Sequence, residues 1–191
     1  MNVTIIGGGN IGGTLGRALA AAGHSVVVGA RRPDGETRSI TDALSASDVV
    51  LVAIPGAAVD GFVADNAAAL AGKLVIDATN RVGTPVLNSA TAYRDKVPSS
   101  RYARAFNSLG WECFADPLFG GEPADLFFTA PAADRATVEE LVAAVGLRPV
   151  YVGEDPEVAD AAGRLWLALV FGQQRGRNLA LRVVERPAPP G

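Results

Sequence analysis

The chain has 191 residues, of which 49% are hydrophobic, and a formal net charge of −3. That length supports one well-cored domain with an appendage, and the slight acidity excludes the global basic field that draws nucleic acid or an anionic membrane. One cysteine, Cys113, and one histidine, His24, exclude a disulfide framework and a His/Cys metal cluster within one chain, so no metal site is expected.

The first residues enter an apolar run without a basic leader or cleavage site, and no apolar stretch reaches spanning length, so a cytoplasmic protein is expected. Val3-Thr4-Ile5-Ile6 reads as a strand that breaks into Gly7-Gly8-Gly9-Asn10-Ile11-Gly12. A helix from Ile11 to Ala22 follows, with Leu15, Ala18, Leu19 and Ala22 at helical spacing; Gly23-His24 ends it, and Ser25 to Val28 reads as a second buried strand. Gly7, Gly9 and Gly12 fit Gly-x-Gly-x-x-Gly in the strand-turn-helix context its mechanism requires. The first glycine permits a tight turn, the second admits a pyrophosphate to the backbone, and the third lets helix pack on strand. The motif predicts a dinucleotide site.

The end of the second strand selects the dinucleotide. NAD sites place an Asp or Glu about 20 residues beyond the motif to bind the ribose 2′-hydroxyl. This chain instead reads Gly29-Ala30-Arg31-Arg32. Two permanent cations with planar donor forks suit a 2′-phosphate, which points to NADP(H).

Further along, Pro33 to Glu36 is a polar turn and Ile40 to Leu44 a short helix. Val49 to Ile54 is an uninterrupted apolar run of the kind buried on both faces of a parallel sheet, and Pro55-Gly56 stops it. Ala57 to Leu70 suggests a helix and Leu74 to Asp77 a strand carrying Ala78-Thr79-Asn80 at its carboxyl end. Arg81 to Arg101 reads as a loop with room for a short helix. Strands are expected at Tyr102 to Phe106, Asp125 to Thr129 and, as an edge, Arg148 to Val152, with a helix at Ala133 to Val145. Alternating strands and helices define an α/β, doubly wound, mostly parallel sheet. From Val158 to about Val184, with Ala162, Leu165, Trp166, Leu169 and Val170 at helical spacing and Gly172 and Gly176 as candidate breaks, a helical tail is expected. The expected organisation is a dinucleotide-binding domain at 1–153, a helical extension at 154–186 that packs on the sheet or at a dimer interface, and a frayed end at 187–191.

Ligands of open α/β sheets bind beyond the carboxyl ends of the strands, which excludes His24 at the opposite edge. No Ser-x-x-x-Lys or Tyr-x-x-x-Lys arrangement supplies a proton donor for ketone reduction. Thr79, Asn107 and Ser108 are the catalytic candidates, able to hydrogen-bond a carbonyl or ring edge and equally able to satisfy local backbone. Asp77 suits a helix cap or a ribose hydroxyl. Arg175 and Arg177 suit an anionic substrate tail, a solvated surface or an intersubunit pair, and Cys113 a buried small hydrophobe or a reactive thiol. Scarcity of acids fits hydride exchange between two redox cofactors, in which the protein supplies orientation.

Gly9-Asn10-Ile11-Gly12, Val28 to Arg32, Ala53-Ile54-Pro55, the block Ala105 to Glu112, and the tail from Arg164 to Arg177 together resemble the NADP oxidoreductase, coenzyme F420-dependent family. The resemblance implies a Rossmann fold and a homodimeric reductase passing a hydride between NADP(H) and a deazaflavin, coenzyme F420, or a flavin. It further implies that Gly7, Gly8, Gly9, Asn10, Ile11 and Gly12 hold the pyrophosphate and that Ala30, Arg31 and Arg32 meet the 2′-phosphate. Ala53, Ile54 and Pro55 would border the nicotinamide, and Ala78, Thr79 and Asn80 would line the same cleft. The partner is then a small redox substrate, with no nucleic acid and no membrane. Gly8 and Ala30 stand where F420-reducing members carry hydroxyl residues, Gly35 to Glu36 where they carry a lysine, and Phe106 to Ser108 where they carry a histidine. Two further readings therefore stay open: reduction of a small imine or carbonyl, and a regulator that binds NADPH without turnover.

Overall fold

The apolar N-terminal run forms strand β1 (Asn2–Ile6), with Val3, Ile5 and Ile6 buried, in a computed structural model that describes residues 1–186. The expected frayed end at 187–191 lies outside the described residues. Strand β1 pairs in parallel with β2 (Ser25–Ala30), from Asn2 opposite Ser25 to Ile6 opposite Gly29. Between them helix α1 (Asn10–Ala21) buries Gly12, Thr14, Leu15, Gly16 and Leu19. The two-residue strand β3 (Arg38–Ser39) leads into α2 (Ile40–Leu44), whose first turn is capped by the Ser39 hydroxyl accepting from the Asp42 amide at 3.1 Å. Strands β4 (Val49–Val52), β5 (Leu74–Asp77) and β6 (Arg101–Arg104) complete a six-stranded parallel sheet in the order β3-β2-β1-β4-β5-β6. Alternate side chains feed two cores. Val3, Ile5, Leu51, Leu74 and Ile76 face one side; Ile6, Val50, Val52 and Val75 face the other.

The helix expected over Ala57 to Leu70 is in fact two. A 3-10 turn at Gly56–Ala58 leads into α3 (Val59–Asp65), which ends at Asn66; a single turn, α4 (Ala67–Leu70), follows. Asn66 binds the Phe62 carbonyl with both its amide (3.1 Å) and its side chain (2.8 Å), which closes the first helix. The loop from Arg81 contains α5 (Ala90–Lys96). Strand β6 stops at Arg104, short of the expected Phe106, because Phe106 adopts φ of 61° and turns the chain out of the sheet.

After α6 (Trp111–Ala115), the two-residue strands β7 (Leu118–Phe119) and β8 (Glu122–Pro123) form a hairpin through Gly120 and Gly121, both at positive φ. Strand β9 (Asp125–Phe128), helix α7 (Arg135–Ala144) and β10 (Arg148–Tyr151) form a parallel pair, and an antiparallel bridge between Arg104 and Thr129 joins it to the edge of the main sheet.

The helical tail expected to reach Val184 ends earlier. Helix α8 (Pro156–Leu167) passes into one π-helical turn, Ala168–Gly172, and residues 173–186 form no regular element. Gln174 and Gly176, at φ of 52° and 79°, break the helix. The chain then doubles back: Leu179 accepts from the Trp166 indole at 2.9 Å, and the Val183 amide donates to Asp125 at 2.7 Å.

Candidate functional site

At the mouth of the sheet, where β1 and β4 send their following helices to opposite faces, the glycine turn is built by contact. Gly7 has φ of 112°, and a Cβ there would collide with the Ala53 carbonyl; a Cβ on Gly12 would collide with the Gly7 carbonyl. Those two glycines are required by packing. Gly9 is different, because no atom lies within 4 Å of where its Cβ would stand. It precedes the first turn of α1, which has no side-chain cap and no acidic residue, so the amides of Asn10, Ile11 and Gly12 lack helical partners. Open space beside free amides at a helix N-terminus fits a diphosphate.

Two joined clefts flank this turn. The larger, about 810 Å³, is lined by Gly7, Gly8, Ala30, Arg31, Arg32 and the face of α3, which brings in Asp65. The second, about 460 Å³, is lined by Gly9, Asn10, Ile11, Pro55, Ala78, Thr79, Asn80, Trp111 and Arg177. Ala53 and Ile54 border both. The structure thus places Arg31 and Arg32 in one cleft with Gly7 and Gly8, without an ion-pair partner among the described residues, and it places Gly12 beneath the turn.

The remaining candidates separate. Thr79 lines the second cleft with its side chain buried and its hydroxyl 3.5 Å from that of Ser89. Neither Asn107 nor Ser108 lines either cleft. The Asn107 carbonyl accepts from the Asn80 side chain at 2.8 Å, while Asn107 Oδ1 and Ser108 Oγ are buried without partners. His24 sits at the far end of the sheet with Nδ1 3.1 Å from the N-terminal nitrogen. Cys113 is buried, with Sγ 3.7 Å and 3.9 Å from the carbonyls of Arg177 and Leu179, and burial pushes its thiol pKa up, which leaves it a small packed side chain.

Asp77 is fully buried and serves the backbone. Its carboxylate accepts from the Thr79 amide (2.8 Å), the Ser89 amide at the start of α5 (3.1 Å) and the Tyr102 hydroxyl (2.6 Å), so it is closed to a ribose. Burial, and then the Asp77 charge, raise the Tyr102 pKa well above its ordinary value, which keeps that hydroxyl a donor. Sequence reading missed the residue that organises this corner, Arg104, which is completely buried. It donates to Asp160 of α8 at 2.8 Å, to the carbonyls of Asp77 and Thr79, and to Asn80 Oδ1 at 2.7 Å, with the Asp77 carboxylate 3.5 Å away. Arg104 thereby ties the wall of the second cleft to α8. A charged residue in a strand of a sheet covered on both faces was the available signal, since such a charge demands buried partners.

Arg177 and Trp111 close the second cleft from the C-terminal half. Arg177 Nε donates to Glu112 Oε1 at 2.7 Å, and its guanidinium stands 5.7 Å from the centre of the Trp166 ring. Burial pushes the Glu112 pKa up, but the hydrogen bond from Arg177, a backbone amide bond and the Arg177 charge together outweigh it and hold the carboxyl below its ordinary range. The side chain of Arg175 is exposed and unpaired among the described residues.

A parallel sheet ordered β3-β2-β1-β4-β5-β6, with a glycine turn at its topological switch point, defines an α/β protein of the Rossmann class. Residues 2–81 match the model of the NADP oxidoreductase, coenzyme F420-dependent family, the family that the sequence resembles. Among solved structures, a proposed F420-dependent NADP-reductase from Arthrobacter sp. FB24 shares the fold with a TM-score of 0.80 and 22% identity, over 97% of this chain and 100% of that one. An imine reductase from Bacillus cereus BAG3X2 aligns at 0.69 and 16%, over 91% of this chain and 62% of that one. A reductive aminase from Aspergillus terreus, in complex with NADPH4, cyclohexanone and allyl amine, aligns at 0.67 and 24%, over 91% and 61%. The chain therefore spans little more than three-fifths of those two enzymes, and at these identities the likeness is one of fold. Among curated proteins none matches. The family match covers the glycine turn, the arginine pair and Ala78 to Asn80; Arg104, Trp111 and Arg177 lie beyond it. Among the described residues no helix is long and apolar enough to cross a membrane.

Proposed function

We propose that the protein is an NADPH-dependent reductase that passes a hydride to a flavin-type or deazaflavin acceptor such as coenzyme F420. The observation that carries the reading is the pair of joined clefts: free amides beside Gly9, and at the end of β2 two unpaired arginines where an NAD site would carry a carboxylate. In this reading the amides of Asn10, Ile11 and Gly12 hold the diphosphate, Arg31 and Arg32 the 2′-phosphate, and Ala53 to Pro55 with Ala78 to Asn80 border the nicotinamide. Bound NADPH supplies the hydride. The second cleft offers no His, Lys, Tyr, Asp or Glu among its lining residues, which suits an acceptor needing orientation more than a protein acid. Residues 1–153 then carry the nucleotide, while 154–186 close the acceptor side through Arg177. We place a homodimer contact on the α8 surface, where Val158, Leu165 and the adjacent Phe171 are exposed.

Calorimetry tests the nucleotide assignment. NADPH is expected to bind at least tenfold more tightly than NADH, and the Arg31→Ala/Arg32→Ala double variant to lose about 100-fold in NADPH affinity while NADH is unaffected, since each charge-assisted bond contributes about 1.5–3 kcal/mol. Equal affinity for the two nucleotides in the unmodified chain overturns the assignment.

A further inference from the structure

Arg177 is held before any acceptor arrives. Its Nε is committed to Glu112 and its guanidinium carbon lies over the Trp166 ring, while among the described residues neither Nη1 nor Nη2 has a hydrogen-bond partner. Glu112 is fixed in turn, because its second oxygen is buried against Gly110, where an added Cβ would stand 2.5 Å from it. Asn10, Thr79 and Asn80, the other side chains with hydrogen-bonding groups on the cleft besides the Trp111 indole, are neutral, and Glu112 is not among its lining residues. The cleft therefore presents one positioned cation with unused donors, and no anion.

Building on the NADPH reading above, we infer that Arg177 selects the hydride acceptor by charge, favouring planar conjugated acceptors that become anions and opposing iminium cations. In the transfer the C–H bond at the dihydronicotinamide carbon breaks, two electrons and one proton move together, NADP+ remains, and a new bond to hydrogen forms on the acceptor. A neutral isoalloxazine-type ring becomes an anion, which stays ionised in alkaline solution and takes a proton from water only at lower pH. A fixed guanidinium with free donors stabilises that charge as it develops, without a proton from the protein. An iminium starts as a cation and ends as a neutral amine, so the same guanidinium works against its entry and gains nothing from its reduction. Trp111, which lines the same cleft, adds aromatic surface to it.

The test uses the full chain, Arg177→Gln and Arg177→Lys, with lumiflavin, a flavin ring lacking a phosphate tail, and 2-methyl-1-pyrroline, an iminium near neutral pH. Both tryptophans of the chain, Trp111 and Trp166, adjoin Arg177, so their fluorescence reads binding without turnover. With NADP+ present at about pH 8.5, reduced, anionic lumiflavin is expected to bind at least tenfold more tightly than oxidised lumiflavin. R177Q is expected to erase that ratio and R177K to restore part of it. NADPH affinity is expected to stay within twofold in both variants. With NADPH as donor, R177Q should lower lumiflavin turnover by about 100-fold, the scale of losing one charge-stabilising group, and leave pyrroline turnover undiminished. A ratio that survives R177Q, or is absent from the unmodified chain, overturns the inference, as does a loss of NADPH affinity that accounts for the turnover loss. An unmodified chain that fails to bind NADPH instead overturns the reading on which the inference rests.

Discussion

Replacing Arg104 with methionine is expected to lower the thermal midpoint by about 10 °C. The side chain is fully buried between Asp77 and Asp160, themselves 0% and 1% exposed, so its removal leaves two carboxylates in the interior with no cation. Breaking a buried pair by deleting one partner costs about 3–5 kcal/mol, and in a chain of this size each kcal/mol moves the midpoint by roughly 2–4 °C. The loss is larger than packing alone accounts for, because Met fills much of the same volume. Asp160→Asn is expected to cost less, since an amide oxygen can still accept from the Asn88 amide and side chain, now at 2.9 Å and 2.8 Å. The double variant should fall short of the sum of the two, because both remove the Arg104 to Asp160 bond. Differential scanning calorimetry measures all three, and a shift under 3 °C for R104M would show that the buried Arg104 contacts contribute little to stability. The same variant releases Asn80 and the Thr79 carbonyl, so NADPH affinity should fall several-fold in whatever fraction remains folded.

The sheet was legible where one physical cause dominates. Val49 to Val52 and Leu74 to Asp77 are buried on both faces and read as unbroken apolar runs, and the Gly7 to Gly12 spacing records backbone collisions that a Cβ would cause. Legibility failed where one residue type serves two structures. Apolar spacing beyond Gly172 continued because Leu179 and Ala180 pack on the core from a returning segment, which mimics a helix face; the breakers were Gln174 and Gly176. Asn66 split a helix through a side-chain bond that no periodicity reports. In the candidate site, the half proposed for the nucleotide lies within the first 81 residues, where local spacing brings its lining residues to notice. The half proposed for the acceptor is lined by Trp111 and Arg177 and braced by the Arg104 to Asp160 pair, residues that only the fold brings together over long separations. Even Asp77, the most conspicuous carboxylate at a strand end, was committed to backbone amides that sequence does not locate.

Gly9→Val is expected to abolish NADPH binding, by 100-fold or more, while leaving the fold nearly intact; Gly12→Ala is expected to damage both. Gly9 has φ of −74° and extended ψ, a conformation valine adopts freely, and its Cβ position is open on all sides. The folding cost is therefore limited to a poorer helix cap, about 1 kcal/mol and a midpoint change within about 4 °C. The ligand cost is large because the branched side chain fills the space through which a diphosphate must approach the first amides of α1. At Gly12 an added methyl meets the Gly7 carbonyl and comes within 3.1 Å of the Ile5 side chain, so helix and strand must separate and stability falls by about 1–3 kcal/mol or more. The contrast separates two roles that one motif carries: glycine for packing and glycine for ligand access. Thermal melts with and without NADPH read both at once. Stabilisation by nucleotide should vanish in G9V at an almost unchanged baseline, and a G9V protein that still gains stability from NADPH as the unmodified chain does would remove the diphosphate from this turn.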